Sequence, residues 1–131
     1  GSIIAYDVLT LDDSDVPIDT FVTIGSPLGL PIIKSRIVAE RQQDPSQKGI
    51  LKTPENICSH WYNLADLRDK IAINYTLQDD FKENAKHIGP VDKLVTNDYA
   101  FEDQKNPHKS YGYLRTPEMA EIISGFINGT H

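Results

Sequence analysis

The stretch Thr20-Phe21-Val22-Thr23-Ile24-Gly25-Ser26-Pro27-Leu28-Gly29 decides the fold class. Residues 20–24 are all β-branched or aromatic and carry no charge, which suits an extended strand. A strand unbroken by charge is one covered on both faces, as in a parallel sheet layered by helices. The glycine, serine and prolines that follow stop the strand and turn the chain through residues 26–31.

Working outward, residues 2–10 place apolar groups at 4, 5, 8 and 9, the spacing of one buried helix face, so a short helix is expected from Ser2 or earlier. Asp12-Asp13-Ser14-Asp15 reads as a polar loop that Pro17 closes. After the turn, residues 32–39 suggest a helix on an apolar 32, 33, 37 face. Residues 40–56 are polar, hold two prolines and fit no period, and are read as a mobile loop or lid. Cys58 to Leu64 is a second strand with Trp61 for bulk, and Ala65-Asp66-Leu67-Arg68-Asp69 a charged turn. The segment from Ile71 to Gly89 is ambiguous between helix and strand. A third strand is expected over Val91 to Thr96, then a long polar loop over 97–115 that contains His108.

The final element is the best punctuated. Thr116 is suited to N-cap a helix, Pro117 to its first position and Glu118 to its first turn. Apolar groups at 119, 120, 122, 123, 126 and 127 are expected to face inward, and Asn128-Gly129 to end the helix. This order predicts an α/β fold with a mostly parallel sheet of about three strands and flanking helices.

Composition bounds the function. The 131 residues make one domain at most, and 39% apolar content is that of a globular chain. A net charge of -6 disfavours nucleic acid or an anionic membrane as partner, since both need a basic footprint. The lone Cys58 cannot form an internal disulfide. No apolar run approaches a membrane span and no signal segment is visible, so the chain is expected to be soluble, with the cytoplasm favoured. The triplets Asn74-Tyr75-Thr76 and Asn128-Gly129-Thr130 are glycosylation sequons of a kind frequent by chance.

Open parallel sheets bind ligands beyond the carboxyl ends of their strands. The residues there are Ser26, Asp66 or Asp69, and the loop from Asn97 to His108. A carboxylate after one strand and a histidine after the next can supply two parts of a Ser-His-Asp triad, because a histidine base needs a partner to fix its tautomer and stabilise its protonated form. Other groupings carry less. Cys58 and His60 share a strand face, but two ligands do not make a zinc site, and Cys58 suits a small buried apolar position. Asp12, Asp13 and Asp15 lack the glycine and terminal glutamate of a calcium loop. Asp79-Asp80 with His87 suits a solvated face, and a metal site of His108, Asp69 and Asp98 has no ligand spacing to support it. Tyr111 and Tyr113 fit a core-and-rim role or substrate stacking. No metal or cofactor is expected.

Phe21-Val22-Thr23-Ile24-Gly25-Ser26-Pro27-Leu28-Gly29, Trp61-Tyr62-Asn63-Leu64 leading into Asp66-Leu67-Arg68-Asp69-Lys70-Ile71-Ala72, and His108-Lys109-Ser110-Tyr111-Gly112-Tyr113-Leu114 together resemble the C-terminal half of an α/β-hydrolase, most closely lipase-like serine esterases with TIGSPLG after the sixth strand. The likeness runs from residue 1 to about residue 127 and implies that the three strands are the sixth to eighth of that fold. Gly1-Ser2-Ile3-Ile4-Ala5 is similar to the end of the family's G-x-S-x-G elbow and the helix after it; Gly1-Ser2 reads equally as a cloning scar. The resemblance implies that His108 is the general base and acid and Asp69 its orienting carboxylate, with Asp66 as rival because Lys70 replaces the family's usual proline. Ser26, Pro27 and Leu28 would shape the pocket rim; Pro27 denies Ser26 the N–H that a nucleophile's oxyanion hole wants. The nucleophile would lie two positions before Gly1, so the chain would be a hydrolase fragment acting on a carboxylic ester when complete and inactive alone. The competing expectation is a non-catalytic module that forms a homodimer, or joins its missing half, through an open sheet edge.

Overall fold

A computed structural model describes residues 1–11, 15–40, 51–72 and 76–130. Its main sheet has three parallel strands, β1 (Ile18–Ile24), β3 (Ile57–Ala65) and β5 (Pro90–Leu94), in the order β1-β3-β5. Ile24 lies opposite Leu64, and Ala65 opposite Leu94, so β1, β3 and β5 end together at one rim of the sheet. Among the described residues β1 pairs on one side only.

Strand alternation sends Trp61 and Leu64 of β3 to opposite faces. On the Trp61 face, helices α1 (Ser2–Leu11) and α2 (Pro31–Glu40) pack through Tyr6 and Ile37 on a core that includes Leu28, Leu51, Ile57, Leu77 and Phe81. Trp61 meets Phe81 edge-on with ring centroids 5.0 Å apart, and Tyr6 meets Phe81 likewise at 5.4 Å. On the Leu64 face, helices α3 (Ser110–Leu114) and α4 (Pro117–Asn128) contribute Tyr113, Met119 and Ile122 to a second core with Leu64 and Val95. The α/β class and parallel sheet therefore stand, with helices on both faces.

A buried polar row crosses the Trp61 face. Trp61 Nε1 donates to Thr23 Oγ1 (3.2 Å), which donates to Asn63 Oδ1 (2.7 Å), while Asn63 Nδ2 donates to Asp92 Oδ1 (2.9 Å). Asp92 in turn accepts the backbone N–H groups of Leu77 and Gln78. Each strand thus spends one inward position on a hydrogen bond to its neighbour, which fixes register as well as pairing.

Several expectations change. The buried side of α1 centres on Tyr6, 1% exposed, with Ile3 packed beside it, whereas Ile4 and Val8 point outward; the tyrosine wins because its ring fills the core and its hydroxyl reaches Lys52 O at 2.7 Å. In α4 only Met119 and Ile122 are buried, and Ile123, Phe126 and Ile127 are exposed. A three-stranded sheet with a five-residue outer strand is too narrow to cover a helix of about 18 Å. Of the expected lid over 40–56, residues 41–50 lie outside the described residues. Residues 51–56 are packed instead, since β2 (Leu51–Lys52) pairs in parallel with β4 (Phe81–Lys82), and Leu51 and Thr53 are buried. The loop over 97–115 contains an antiparallel hairpin, β6 (Ala100–Phe101) with β7 (Gln104–Lys105), as well as α3. Among the described residues no helix is long and apolar enough to cross a membrane.

Candidate functional site

At the rim where β1, β3 and β5 end, three segments meet. The turn after β3 folds back because the Asp69 N–H donates to Asp66 O and the Ala72 N–H to Asp69 O, which winds Lys70–Ala72 into a 3-10 turn. This leaves the Asp69 side chain with no exposed surface. Buried carboxylates need donors, and Asp69 has three: the Ile71 N–H on Oδ1 (2.9 Å), the Tyr113 hydroxyl on Oδ2 (2.7 Å) and His108 Nδ1 at 3.0 and 2.9 Å from the two oxygens. A carboxylate only accepts, so Nδ1 carries the proton, and Nε2 is the ring nitrogen left to act on another group.

Gly25 makes this approach possible. It follows β1 with φ +52°, and a Cβ there would sit 2.6 Å from Asp69 Oδ2 and 3.2 Å from His108 Nδ1. Only glycine suits both the left-handed backbone and the space. Tyr113, fully buried from α3, connects the two aspartates: its oxygen accepts the Asp66 N–H at 3.1 Å and its hydroxyl donates to Asp69. Burial above all, together with its bond to Asp69, pushes the Tyr113 phenol well above its ordinary range, so it remains a donor. The sequence placed Tyr113 in a core-and-rim role without this bond; only its short distance from His108 along the chain could have suggested it.

Asp66, the rival carboxylate, is turned elsewhere. It accepts Arg68 Nη2 at 2.7 Å, Arg68 Nε at 3.1 Å, and the N–H groups of Arg68 and Asn97 at 2.8 and 2.7 Å. These donors, Arg68 foremost, hold its carboxyl down to about 2. His108 therefore meets Asp69 and not Asp66. Asp98 lies on the far side of Arg68, 3.9 Å from Nη2 and mostly exposed, and among the described residues no three metal-ligating side chains converge.

A cavity of about 430 Å³ opens beside the pair. Its walls are the start of α1 (Gly1, Ser2, Ala5), residues 21–25 at the end of β1, Pro27, Ile71, His108 and Ser110. His108 is the one ionisable side chain among them, and 52% of its side chain is exposed. The expected rim is corrected in part. Pro27 lines the cavity, but Leu28 has no exposed surface and belongs to the core, because the 3-10 turn Pro27–Gly29 rotates it inward. Ser26, 3% exposed, caps that turn by accepting the Leu28 N–H and donates its hydroxyl to Ser2 Oγ at 2.8 Å. Cys58 and His60 lie away from the rim: Cys58 is half-buried, with Sγ 3.4 Å from Asn56 O, and His60 stacks on Tyr62.

No family model, curated protein or solved structure matches the chain.

Proposed function

We propose that the chain is the base-bearing half of a serine esterase: His108 is the general base and acid, Asp69 orients it, and the nucleophilic serine is supplied from immediately upstream of Gly1. The observation that carries this reading is the contact between His108 Nδ1 and the buried Asp69 carboxylate, at 2.9 Å, at the mouth of a largely apolar cavity. That bond holds the ring in the tautomer whose Nε2 can take a proton. In the reaction, the serine oxygen attacks the ester carbonyl as Nε2 takes the serine proton. The same proton then passes to the departing alkoxide, leaving an acyl-serine. Water repeats the sequence and releases the acid.

The start of α1 supports the arrangement. Gly1, Ser2 and Ala5 form one wall of the cavity that His108 also lines, so a residue just before Gly1 would border the same cavity as the ring. The first N–H groups of a helix have no intrahelical partner and lie at the positive end of its dipole, which suits an oxyanion. Apart from His108, no side chain on the walls is ionisable, which suits a neutral ester. The test is the gene itself: the codons in frame before Gly1 are expected to spell Gly-x-Ser, and its full product to hydrolyse a p-nitrophenyl ester. His108→Ala should lower kcat by at least about 10³-fold. A different upstream sequence, or turnover indifferent to His108, sinks the reading.

A further inference from the structure

We infer that Asn97 is a positioning residue for His108, holding the loop that carries the ring by clamping the carbonyls on either side of it. This rests on the proposed role of His108. Asn97 follows β5 and is 2% exposed. Its Nδ2 donates both protons, to Pro107 O at 2.8 Å and to Lys109 O at 2.7 Å. Its Oδ1 accepts the Tyr99 N–H at 3.1 Å, which fixes the amide orientation, since only the nitrogen can face two carbonyls.

The clamp is anchored in turn. The Asn97 N–H donates to Asp66 Oδ2 (2.7 Å), and Arg68 Nη2 donates to Asn97 O (3.2 Å). Asp66, rejected as the partner of His108, therefore acts on the histidine at one remove. Gly112 leaves room for the amide, because a Cβ there would overlap Asn97 Oδ1. The histidine loop is otherwise exposed, and its other ties to residues 97–112 are bonds such as His108 N–H to Asn106 Oδ1 at 3.2 Å. Without the amide, Pro107 O loses this donor and Lys109 O keeps only the Gly112 N–H at 3.2 Å, so the height of the ring over Asp69 is left to the loop's weaker local bonds.

A purely structural role would look different, and the molecule contains the control. Asn84 makes the same kind of clamp far from His108, with Nδ2 donating to Pro54 O (3.0 Å) and Ile57 O (2.9 Å) while Oδ1 accepts Lys86 and Ile88 N–H groups. The measurement is the His108 Nδ1 proton resonance of the 131-residue chain with ¹⁵N-labelled histidine. In the parent it is expected downfield, coupled to Nδ1. Asn97→Asp, nearly isosteric but unable to donate, should abolish it, and Asn97→Ala likewise, while Asn84→Asp leaves it in place. Trp61 fluorescence checks that each variant is folded. A downfield resonance retained in both Asn97 variants overturns the positioning role and leaves the His108–Asp69 pair standing. Its absence from the folded parent overturns the pair, and the inference with it. Should Asn97→Ala fail to fold, Asn97→Asp decides alone.

Discussion

Gly25 holds the site open by having no side chain. Its φ of +52° and the 2.6 Å that would separate a Cβ from Asp69 Oδ2 act together. Gly25→Ala is expected to destabilise the fold by about 1–3 kcal/mol, read as a lower urea midpoint with unchanged slope, and to displace the buried pair. Equal stability would mean that the backbone there relaxes freely. As a strand stop this glycine was plain in the sequence. Its second reason was not, because it depends on Asp69 and His108, which reach it through tertiary contacts. The same holds for Asp69 against Asp66: both follow the strand, and only the folded turn shows that Arg68 and Asn97 occupy Asp66 while Tyr113 and Ile71 prepare Asp69 for the histidine.

At the scale of elements, the turn after β3 carries its own pH dependence. The Asp66 carboxyl is lowered from 3.8 to about 2 by its hydrogen bonds with Arg68 and the turn's N–H groups. A lowered folded-state value means that the charged form is favoured by folding. Its contribution is therefore fully present above about pH 4 and lost as pH falls toward 2. The expected size is of order 2 kcal/mol. Asp66→Asn should flatten the stability curve between pH 4 and 2, measured by urea unfolding across that window; an unchanged slope would show that the ion pair with half-exposed Arg68 contributes nothing.

Local signals explain which elements were legible. The ends of α4 were, because Thr116 Oγ1 accepts the Met119 N–H and Gly129 takes φ +64° just as N-cap and stop residues do. The β6–β7 hairpin was not: its turn residues Glu102 and Asp103 adopt φ of 49° and 62° without the glycine that usually announces such a turn. Two-residue strands such as β2 and β4 are too short for any period to register. On α1, the regular apolar spacing misled because one aromatic ring, Tyr6, outweighed two smaller aliphatic groups in the core.

For the molecule as a whole, the parallel order of the three strands brings the turn after β3 and the loop after β5 to one rim. The carboxyl-end rule anticipated that convergence; the distances between His108 and Asp69 are matters of packing. The most direct measurement is the rate at which a fluorophosphonate labels the full product of the gene. Asp69→Asn is expected to slow labelling of the proposed upstream serine by about 10³–10⁴-fold, and Asp66→Asn, which reaches His108 only through Asn97, by much less. Labelling that is unaffected by Asp69→Asn, or slowed more by Asp66→Asn than by Asp69→Asn, would contradict a base formed by His108 and Asp69.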